Sequence, residues 1–548
     1  MPTNNLSDYL LWGAPFAAAL YLNWSRTSSR STLPLPPGPR KLPLLGNLLD
    51  VGGRPLSEAC MAWGRQYNSD IIHLNLAGTS VIVLSSLEAT EDLMEKRSSI
   101  YSDRPVFPML DLMGFEWVLN FKKYGEMWKT QRRLMSHHLS VSATQNVQPQ
   151  QRVAAHALIS RLLQHPEAFL DHIRIMLGEI IIPFTYGIDL QPTDDPYVAL
   201  IEKASSYGSQ VVPGRFLVDT FPFIKYVPEW IPGAGFQRIA REARVLAKAV
   251  RDVPFAETKR RMTSGEVRSS FTASALRDLE AEDSYYDEDV VKNAAATMYA
   301  AGGDTTIIAL STFVLAMLAN PDAQKQAQQE IDAVVGNGNL PDFQDREAMP
   351  YVLALIREVL RWRAILPLGI PHLLVNEDEY RGYRLPANSI VFGNVMQVSC
   401  RRWDVFTELG FPRAILRDEK IYPNPEKFDP ERFLLDGKLN PLVPDPMVAF
   451  GFGRRLCPGR HLAESSIWIA VVSILAVFNI KKKVDKDGNI VEPSYKYDDR
   501  MLSYGDCSFI LAVRNTECLF SAPIPFECSL EVRSDMAAKL ALASADDI

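Results

Sequence analysis

The segment from Phe450 to Arg460, FGFGRRLCPGR, is the most informative stretch of this 548-residue chain. One cysteine, Cys457, stands among three glycines, and a long apolar helical pattern begins near Leu462. Glycine permits positive φ and close backbone approach, and N–H groups at a helix start favour an anion. The spacing therefore places Cys457 to act as a thiolate. The residues alone leave three roles open for it: axial metal ligand, reactive nucleophile or inert buried cysteine.

This segment resembles the haem-binding loop of the cytochromes P450, whose pattern is FxxGxRxCxG. Every fixed position is matched, by Phe450, Gly453, Arg455, Cys457 and Gly459. The resemblance implies that Cys457 is the axial thiolate ligand of the iron of haem b and that Phe450 shields the sulfur. Electron donation from such a thiolate promotes O–O bond cleavage on the opposite face of the haem.

A second motif of the family, AGGDTT from Ala301 to Thr306, lies in an apolar helical run. It resembles the oxygen-activating segment of the long central helix that crosses over the haem. The resemblance makes Asp304 and Thr305 the catalytic pair, because O–O cleavage needs protons at the distal oxygen. The residues alone also allow a threonine bonded to a helix carbonyl beside an exposed aspartate.

Two further motifs match the family's structural elements. Glu358 and Arg361 form the ExxR pair on one helix face, and Pro430 to Phe433 reads PERF. By resemblance Arg432 joins Glu358 and Arg361 in a buried network, whereas a surface salt bridge is the plainer interpretation.

The haem propionates need cationic or N–H donors in an apolar pocket. The WKTQR stretch resembles the family's WxxxR, which makes Trp128 and Arg132 contacts of the haem, with Arg132 facing a propionate. Arg455 and His372, the latter in LGIPH, join them by resemblance. For His372 a purely structural role stays open. Apolar residues at 107–121 and 365–370 correspond to substrate-contact regions, although they also suit a core.

The N-terminus predicts a membrane anchor at residues 1–30. Residues 9–24 are apolar and would span about 24 Å as a helix, somewhat less than the ~30 Å hydrocarbon core. No Lys or Arg precedes Arg26, which argues against the alternative of a cleaved signal peptide. Positive charges after the run place the body in the cytosol. We expect a single-pass endoplasmic reticulum protein with a Pro-rich hinge at 31–45.

Amphipathic helical patterns dominate from about residue 55 to 375, and hairpins are predicted near residues 71–86 and 380–395. The apolar stretch 467–478 is too short for a membrane span and predicts a buried helix. We therefore expect a mainly α fold with small β-sheets, the cytochrome P450 fold, over residues 46–532. Residues 533–548 are expected to form a loose tail.

Composition excludes several classes. The chain is 47% hydrophobic with a net charge of −7, which indicates a globular protein without general affinity for nucleic acid. Six scattered cysteines, with no CxxC and no HExxH, indicate neither a disulfide scaffold nor a zinc site.

Together these features predict a haem-thiolate monooxygenase that resembles microsomal fungal members and serves secondary metabolism. The resemblance implies O₂ and NADPH-derived electrons as co-substrates, a separate NADPH-dependent flavoprotein reductase, a hydrophobic small-molecule substrate and a monomeric state. By analogy, Lys122, Lys123, Lys129 and Arg133 lie on the face that receives the reductase. Two alternatives remain: an O₂-independent enzyme that rearranges peroxides, and a non-catalytic haem-binding member.

The second alternative rests on a departure from the family pattern. Residues 396–413, MQVSCRRWDVFTELGFPR, separate a predicted strand from a helix that should follow almost at once. The segment has no clear period, and its 18 residues equal 54 in-frame nucleotides, so we interpret it as a short retained intron or a natural surface insertion.

Overall fold

The computed structural model describes residues 33–51, 56–191, 194–208, 210, 216–280, 284–336, 338–395, 414–498 and 520–546. The predicted anchor at 1–30 and the segment 396–413 therefore lie outside the described residues.

The described chain is mainly helical, as predicted. Its α-helices are α1 Leu56–Tyr67, α2 Leu87–Thr90, α3 Ser98–Tyr101, α4 Pro108–Leu112, α5 Glu126–His138, α6 Val141–Gln145, α7 Gln148–Gln164, α8 Phe169–Tyr186, α9 Pro196–Gly208, α10 Leu217–Thr220, α11 Gly235–Ser264, α12 Phe271–Asp278, α13 Glu288–Gly302, α14 Asp304–Ala319, α15 Pro321–Val335, α16 Pro350–Trp362, α17 Arg460–Val477 and α18 Asp535–Asp546.

Short strands complete the architecture. They are β1 Ile71–Leu76, β2 Thr79–Leu84, β3 His372–Leu373, β4 Asp378–Tyr380, β5 Tyr383–Leu385, β6 Ile390–Gly393, β7 Leu434–Leu435, β8 Lys438–Leu439, β9 Phe478–Lys482, β10 Tyr497–Asp498, β11 Ala522–Pro523 and β12 Cys528–Val532. The largest sheet has the order β1-β2-β6-β3, and the others have two strands each within the described chain.

One of the two predicted hairpins is present, and the other is formed only in part. Strands β1 and β2 pair antiparallel, with Ile71 opposite Leu84, as expected. In the second predicted hairpin, near residues 380–395, only β4 and β5 pair as a short hairpin. The following strand, β6, pairs parallel with β2. All four residues of β6 are buried, which explains why it joins the larger sheet.

The centre of the molecule is built from α14 and α17, which pack against each other. The predicted buried helix is confirmed, since Trp468 in α17 is fully buried. In the described chain, the stretches 288–319 and 460–477 are long and apolar enough to cross a membrane, but 72% of the most apolar 18-residue window in each is buried in the body. Both are therefore core helices.

The long central helix is interrupted at Gly303. Helix α13 ends at Gly302 and α14 begins at Asp304, with Gly303 at φ −81° and ψ −72° between them. The break falls beside the predicted catalytic pair.

The buried ExxR network is present. Arg361 donates to Glu358 from Nε at 2.6 Å and from Nη2 at 2.8 Å, and both side chains are fully buried. Arg432 Nε approaches the same carboxylate at 3.2 Å. Arg361 and Arg432 also donate to the carbonyls of Leu416 and Pro423, so the network ties α16 to the segment that leads to the cysteine loop.

The C-terminal tail is not loose, contrary to our expectation. Asp535–Asp546 is a helix that packs against α7, with Ala537 and Ala541 buried. Its alanines are strong helix formers, and their small side chains allow close packing. The Pro-rich hinge is also partly held to the body, because Pro34 and Pro37 accept backbone hydrogen bonds from Arg384 and His73.

Candidate functional site

One internal cavity of about 290 Å³ brings all the predicted site residues together. It lies between the α13–α14 junction and the cysteine loop. The sequence-predicted residues that line it are Asp304, Thr305, Trp128, Arg132, His372, Phe450, Arg455 and Cys457.

The cysteine loop has a backbone shape that glycine permits. The Cys457 amide donates to the Phe450 carbonyl at 2.8 Å, which closes the loop. Gly453 has φ +48°, and a Cβ there would overlap the carbonyl oxygen of Met94. The glycine thus lets the loop press directly against the neighbouring chain.

Burial dominates the electrostatics of Cys457. It raises the pKa of the thiol, while the Gly459 amide and the guanidinium groups of Arg132 and Arg460 oppose that rise. A thiol in this position ionises fully when a metal ion coordinates it. An isolated thiolate nucleophile is accordingly less suited to the site than an iron ligand.

Arginine side chains form a cationic wall on the same cavity. Arg455 donates to the carbonyls of Ser102 at 2.7 Å and Lys122 at 2.9 Å, and its guanidinium carbon lies 4.4 Å from the Trp128 ring centroid. Burial lowers the pKa of Arg455 to about 10. Arg132 is half-buried, and burial likewise lowers its pKa.

A third arginine, Arg104, completes this wall and was missed by the sequence analysis. It is buried and donates to the carbonyls of Asn120, Ile370 and Pro371. Only the single arginine in YSDRP marks it in the sequence, without periodicity or motif.

The cationic wall fits a haem. Among the described residues, Arg104, Arg132 and Arg455 form no ion pair with a carboxylate, although all three line the cavity. Asp103 is close enough to raise the pKa of Arg104 and Arg455, but one carboxylate does not balance three guanidinium groups, and the two propionates of a haem would supply the missing charge. Together with the half-buried Cys457, this donor set suits an iron porphyrin.

His372 lies in the cavity wall, and one of its ring nitrogens is bonded to the backbone. Its Nδ1 lies 2.7 Å from the Tyr101 carbonyl, which only accepts, so Nδ1 carries the hydrogen. Burial, Arg104 and Arg455 lower the pKa of His372 well below its usual value. The neutral ring then leaves Nε2 as an acceptor, and a propionate contact there requires a second proton.

Asp304 and Thr305 occupy the cavity side of the helix break. Thr305 Oγ1 donates to the Ala301 carbonyl at 3.1 Å, as the simpler interpretation allows. Asp304, however, is half-buried rather than exposed. Burial raises its pKa to about 6, and a hydrogen bond with Ser205 partly opposes this rise. A carboxyl group with such a pKa exchanges protons near neutral pH.

The structure divides the candidate substrate contacts. Leu110, Phe115, Ile365 and Leu366 line the cavity. Met109, Met113 and Trp117 belong to the same core cluster as Leu110 and Phe115 but do not line the cavity. The remaining contacts on this side are mostly apolar, including Ile180, Ile181, Ile201 and Val250, and Asp304 is the one carboxylate among the described lining residues.

Comparison with known proteins agrees with this geometry. The Cytochrome P450 family model matches residues 36–408 and 409–497. Cytochrome P450 monooxygenase 98 of Postia placenta is 42% identical, covering 98% of this chain and 97% of that protein. Cytochrome P450 monooxygenase ple1 of Rhodocybe pseudopiperita is 41% identical, covering 89% and 91%. Tryptamine 4-monooxygenase of Psilocybe cyanescens is 37% identical, covering 96% and 98%.

The cysteine in the cavity wall, the cationic wall beside it and the family match over most of the chain lead to one conclusion: the chain belongs to the cytochrome P450 family and is a haem-dependent monooxygenase.

Proposed function

We propose that this protein is a membrane-anchored haem-thiolate monooxygenase that inserts one oxygen atom of O₂ into a neutral, hydrophobic small molecule. Its electrons come from NADPH through a separate flavoprotein reductase. The observation that carries the proposal is the placement of Cys457 on one wall of an apolar cavity that Asp304 and Thr305 also line.

The chain's own residues hold the cofactor and the substrate. Haem b, when bound, supplies the iron at which O₂ is reduced and activated. Cys457 binds this iron, and Arg132, Arg455 and Trp128 orient the porphyrin by charge and ring contact. Apolar side chains on the substrate side exclude water and orient the substrate by shape.

Asp304 and Thr305 handle protons in this proposal. Asp304, with a pKa of about 6, donates a proton and is recharged from solvent. Thr305, held by its bond to Ala301, offers a hydroxyl that would pass that proton into the cavity it shares with Cys457. The presence of both residues favours O₂ activation over the alternative of O₂-independent peroxide rearrangement.

The charge of the cavity favours a neutral substrate. An amine such as the tryptamine in one relative's name would need a buried counter-charge, and Asp304 is the one described candidate. Pairing it with an ammonium would remove it from proton delivery. A spectral and product screen of the reconstituted protein tests this, with neutral apolar compounds expected to be oxidised and tryptamine expected to remain unchanged.

We expect Thr305→Ala to retain haem and reduction but to divert most NADPH electrons to hydrogen peroxide. Loss of the hydroxyl misdirects proton delivery, and such steps contribute roughly 10²–10⁴-fold. The measurement is the ratio of product and peroxide formed per NADPH consumed.

Ser311→Ala is the matched control, because Ser311 donates to the Ile307 carbonyl in the same manner but does not line the cavity. It should leave the ratio unchanged. A Thr305→Ala variant with wild-type coupling would remove Thr305 from the mechanism.

The anchor and the reductase complete the proposal. The predicted span at 9–24 lies outside the described residues, and we propose that it holds the body on the cytosolic face of the endoplasmic reticulum. Lys123 is exposed at the proposed reductase face, and Lys129 is exposed but paired with Glu126 at 2.7 Å. These cations suit an acidic partner, and we propose that the protein acts as a monomer.

Removal of residues 396–413 is expected to preserve the fold. The residues on either side of this segment are hydrogen-bonded to each other. The amides of Ile415 and Leu416 donate to the carbonyls of Asn394 and Val395, both at 3.0 Å. A loop closed at its base adds only a logarithmic entropy cost. We expect the shortened protein to bind haem at least as well as the full chain. A transcript that always encodes the segment, together with lower haem occupancy after deletion, would contradict the intron interpretation.

A further inference from the structure

We propose that Glu202, held by Arg174, is the solvent-side entry of a proton path that reaches Asp304 through a second, small cavity. This inference rests on the proposed function and adds positioning residues to it. Glu202 accepts a proton from solvent and passes it inward, while the carboxylate of Asp304 accepts it and is thereby recharged.

The second cavity has a volume of about 30 Å³ and lies between α8, α9 and the α13–α14 junction. Its described charged lining residues are Arg174, Glu202 and Asp304, and the rest of the wall is mainly apolar. Such a volume holds about two water molecules, and three charged groups supply their hydrogen-bond partners. The three charged groups therefore line one small volume beside the helix break.

Asp304 belongs to both cavities. It lines the small cavity and the main cavity, as do Ile181, Ile201 and Ala300. Ile181 packs closely on the helix, since a Cβ on Gly302 would lie 2.9 Å from its Cδ1. Of the described residues shared by the two cavities, Asp304 alone carries an exchangeable proton.

The path has an open outer end. Arg174 Nη1 contacts Asp171 at 2.7 Å and Nη2 lies 3.7 Å from Glu202. The Arg174 side chain is 14% exposed and that of Glu202 is 35% exposed, so Glu202 reaches water more easily. Arginine keeps its proton and therefore acts as a fixed charge.

Helix α9 places the inner polar group beside the outer one. Glu202 and Ser205 are three residues apart and share a helix face, and both are close enough to Asp304 to shift its pKa. The charged groups around Asp304 are Arg174 from α8, which lowers its pKa, and Glu202 from α9, which raises it. Both are positioned to control when Asp304 holds a proton.

The test titrates Asp304 in the resting holoenzyme by infrared difference spectroscopy of its carboxyl group, with Asp304→Asn to identify the signal. Glu202→Gln removes a like charge and should lower the pKa of Asp304, whereas Arg174→Met should raise it. In turnover, Glu202→Gln should increase peroxide per NADPH about tenfold and enlarge the solvent isotope effect. Glu202→Asp should restore most of the coupling.

Asp171→Asn is the matched control, because Asp171 pairs with the same arginine but does not line the small cavity. It should leave the Asp304 titration and the peroxide formed per NADPH near their wild-type values. Unchanged Asp304 titration in the Glu202 and Arg174 variants would overturn the proposal, as would uncoupling without a change in that titration. If the protein yields no oxygenated product, the proposed function is wrong. The Asp304 titration in the resting holoenzyme still tests whether Glu202 and Arg174 act on Asp304.

Discussion

Cys457→Ala is expected to abolish both thiolate-ligated haem and turnover. In the wild-type protein the reduced CO adduct should show the red-shifted Soret band of a thiolate-bound iron. Because Cys457 lines the cavity wall and alanine offers no ligand atom, the variant should lose that band completely. Absorbance spectra of the reduced CO adduct and product assays measure the two effects.

Cys60→Ala provides the control, since Cys60 is a fully buried cysteine in another core cluster. It should lose some packing energy but keep the band. A histidine-type spectrum in the unmodified protein would refute the assignment of Cys457.

Glu358→Gln should produce the second large effect, a loss of about 3–5 kcal/mol in the free energy of unfolding. The substitution keeps the side-chain volume but leaves the buried guanidinium of Arg361, and that of Arg432, without its carboxylate. The segment before the cysteine loop should loosen, so haem dissociates faster. Denaturant unfolding and haem transfer to a scavenger protein measure these changes.

Arg357→Gln on the same helix is the matched control. Arg357 pairs with Asp445 at 2.7 Å, but both side chains are partly exposed, so its loss should cost less than about 1 kcal/mol. Equal effects of the two variants would show that the buried network does not stabilise the loop.

Several features followed from local sequence because neighbouring residues decide them. The turn at Ala77 and Gly78 joins two apolar runs, so the β1–β2 hairpin was predictable. The continuous apolar run of α17 indicated a buried helix, and the glycine-flanked cysteine indicated the loop. These patterns carry their own periodicity or turn chemistry.

Hydrophobic periodicity did not predict which neighbour an apolar residue packs against when several neighbours are available. Met109 and Leu110 are adjacent apolar residues of α4, yet only Leu110 lines the cavity. Strand β6 shows the same limit, because its pairing with β2 joins segments about 300 residues apart. Local sequence does not specify this strand pairing, because the pairing depends on which apolar surfaces of the folding chain are still exposed.

Short motifs alone indicated the family and the residues Cys457, Asp304 and Arg132 that line the cavity, because each motif carries its own chemistry. Only the tertiary structure decided that Arg104 completes the cationic wall, that His372 carries its hydrogen on Nδ1, and that Arg174 and Glu202 face Asp304. These are contacts between distant segments, and their energies depend on burial and neighbouring charge, which exist only after the chain has packed.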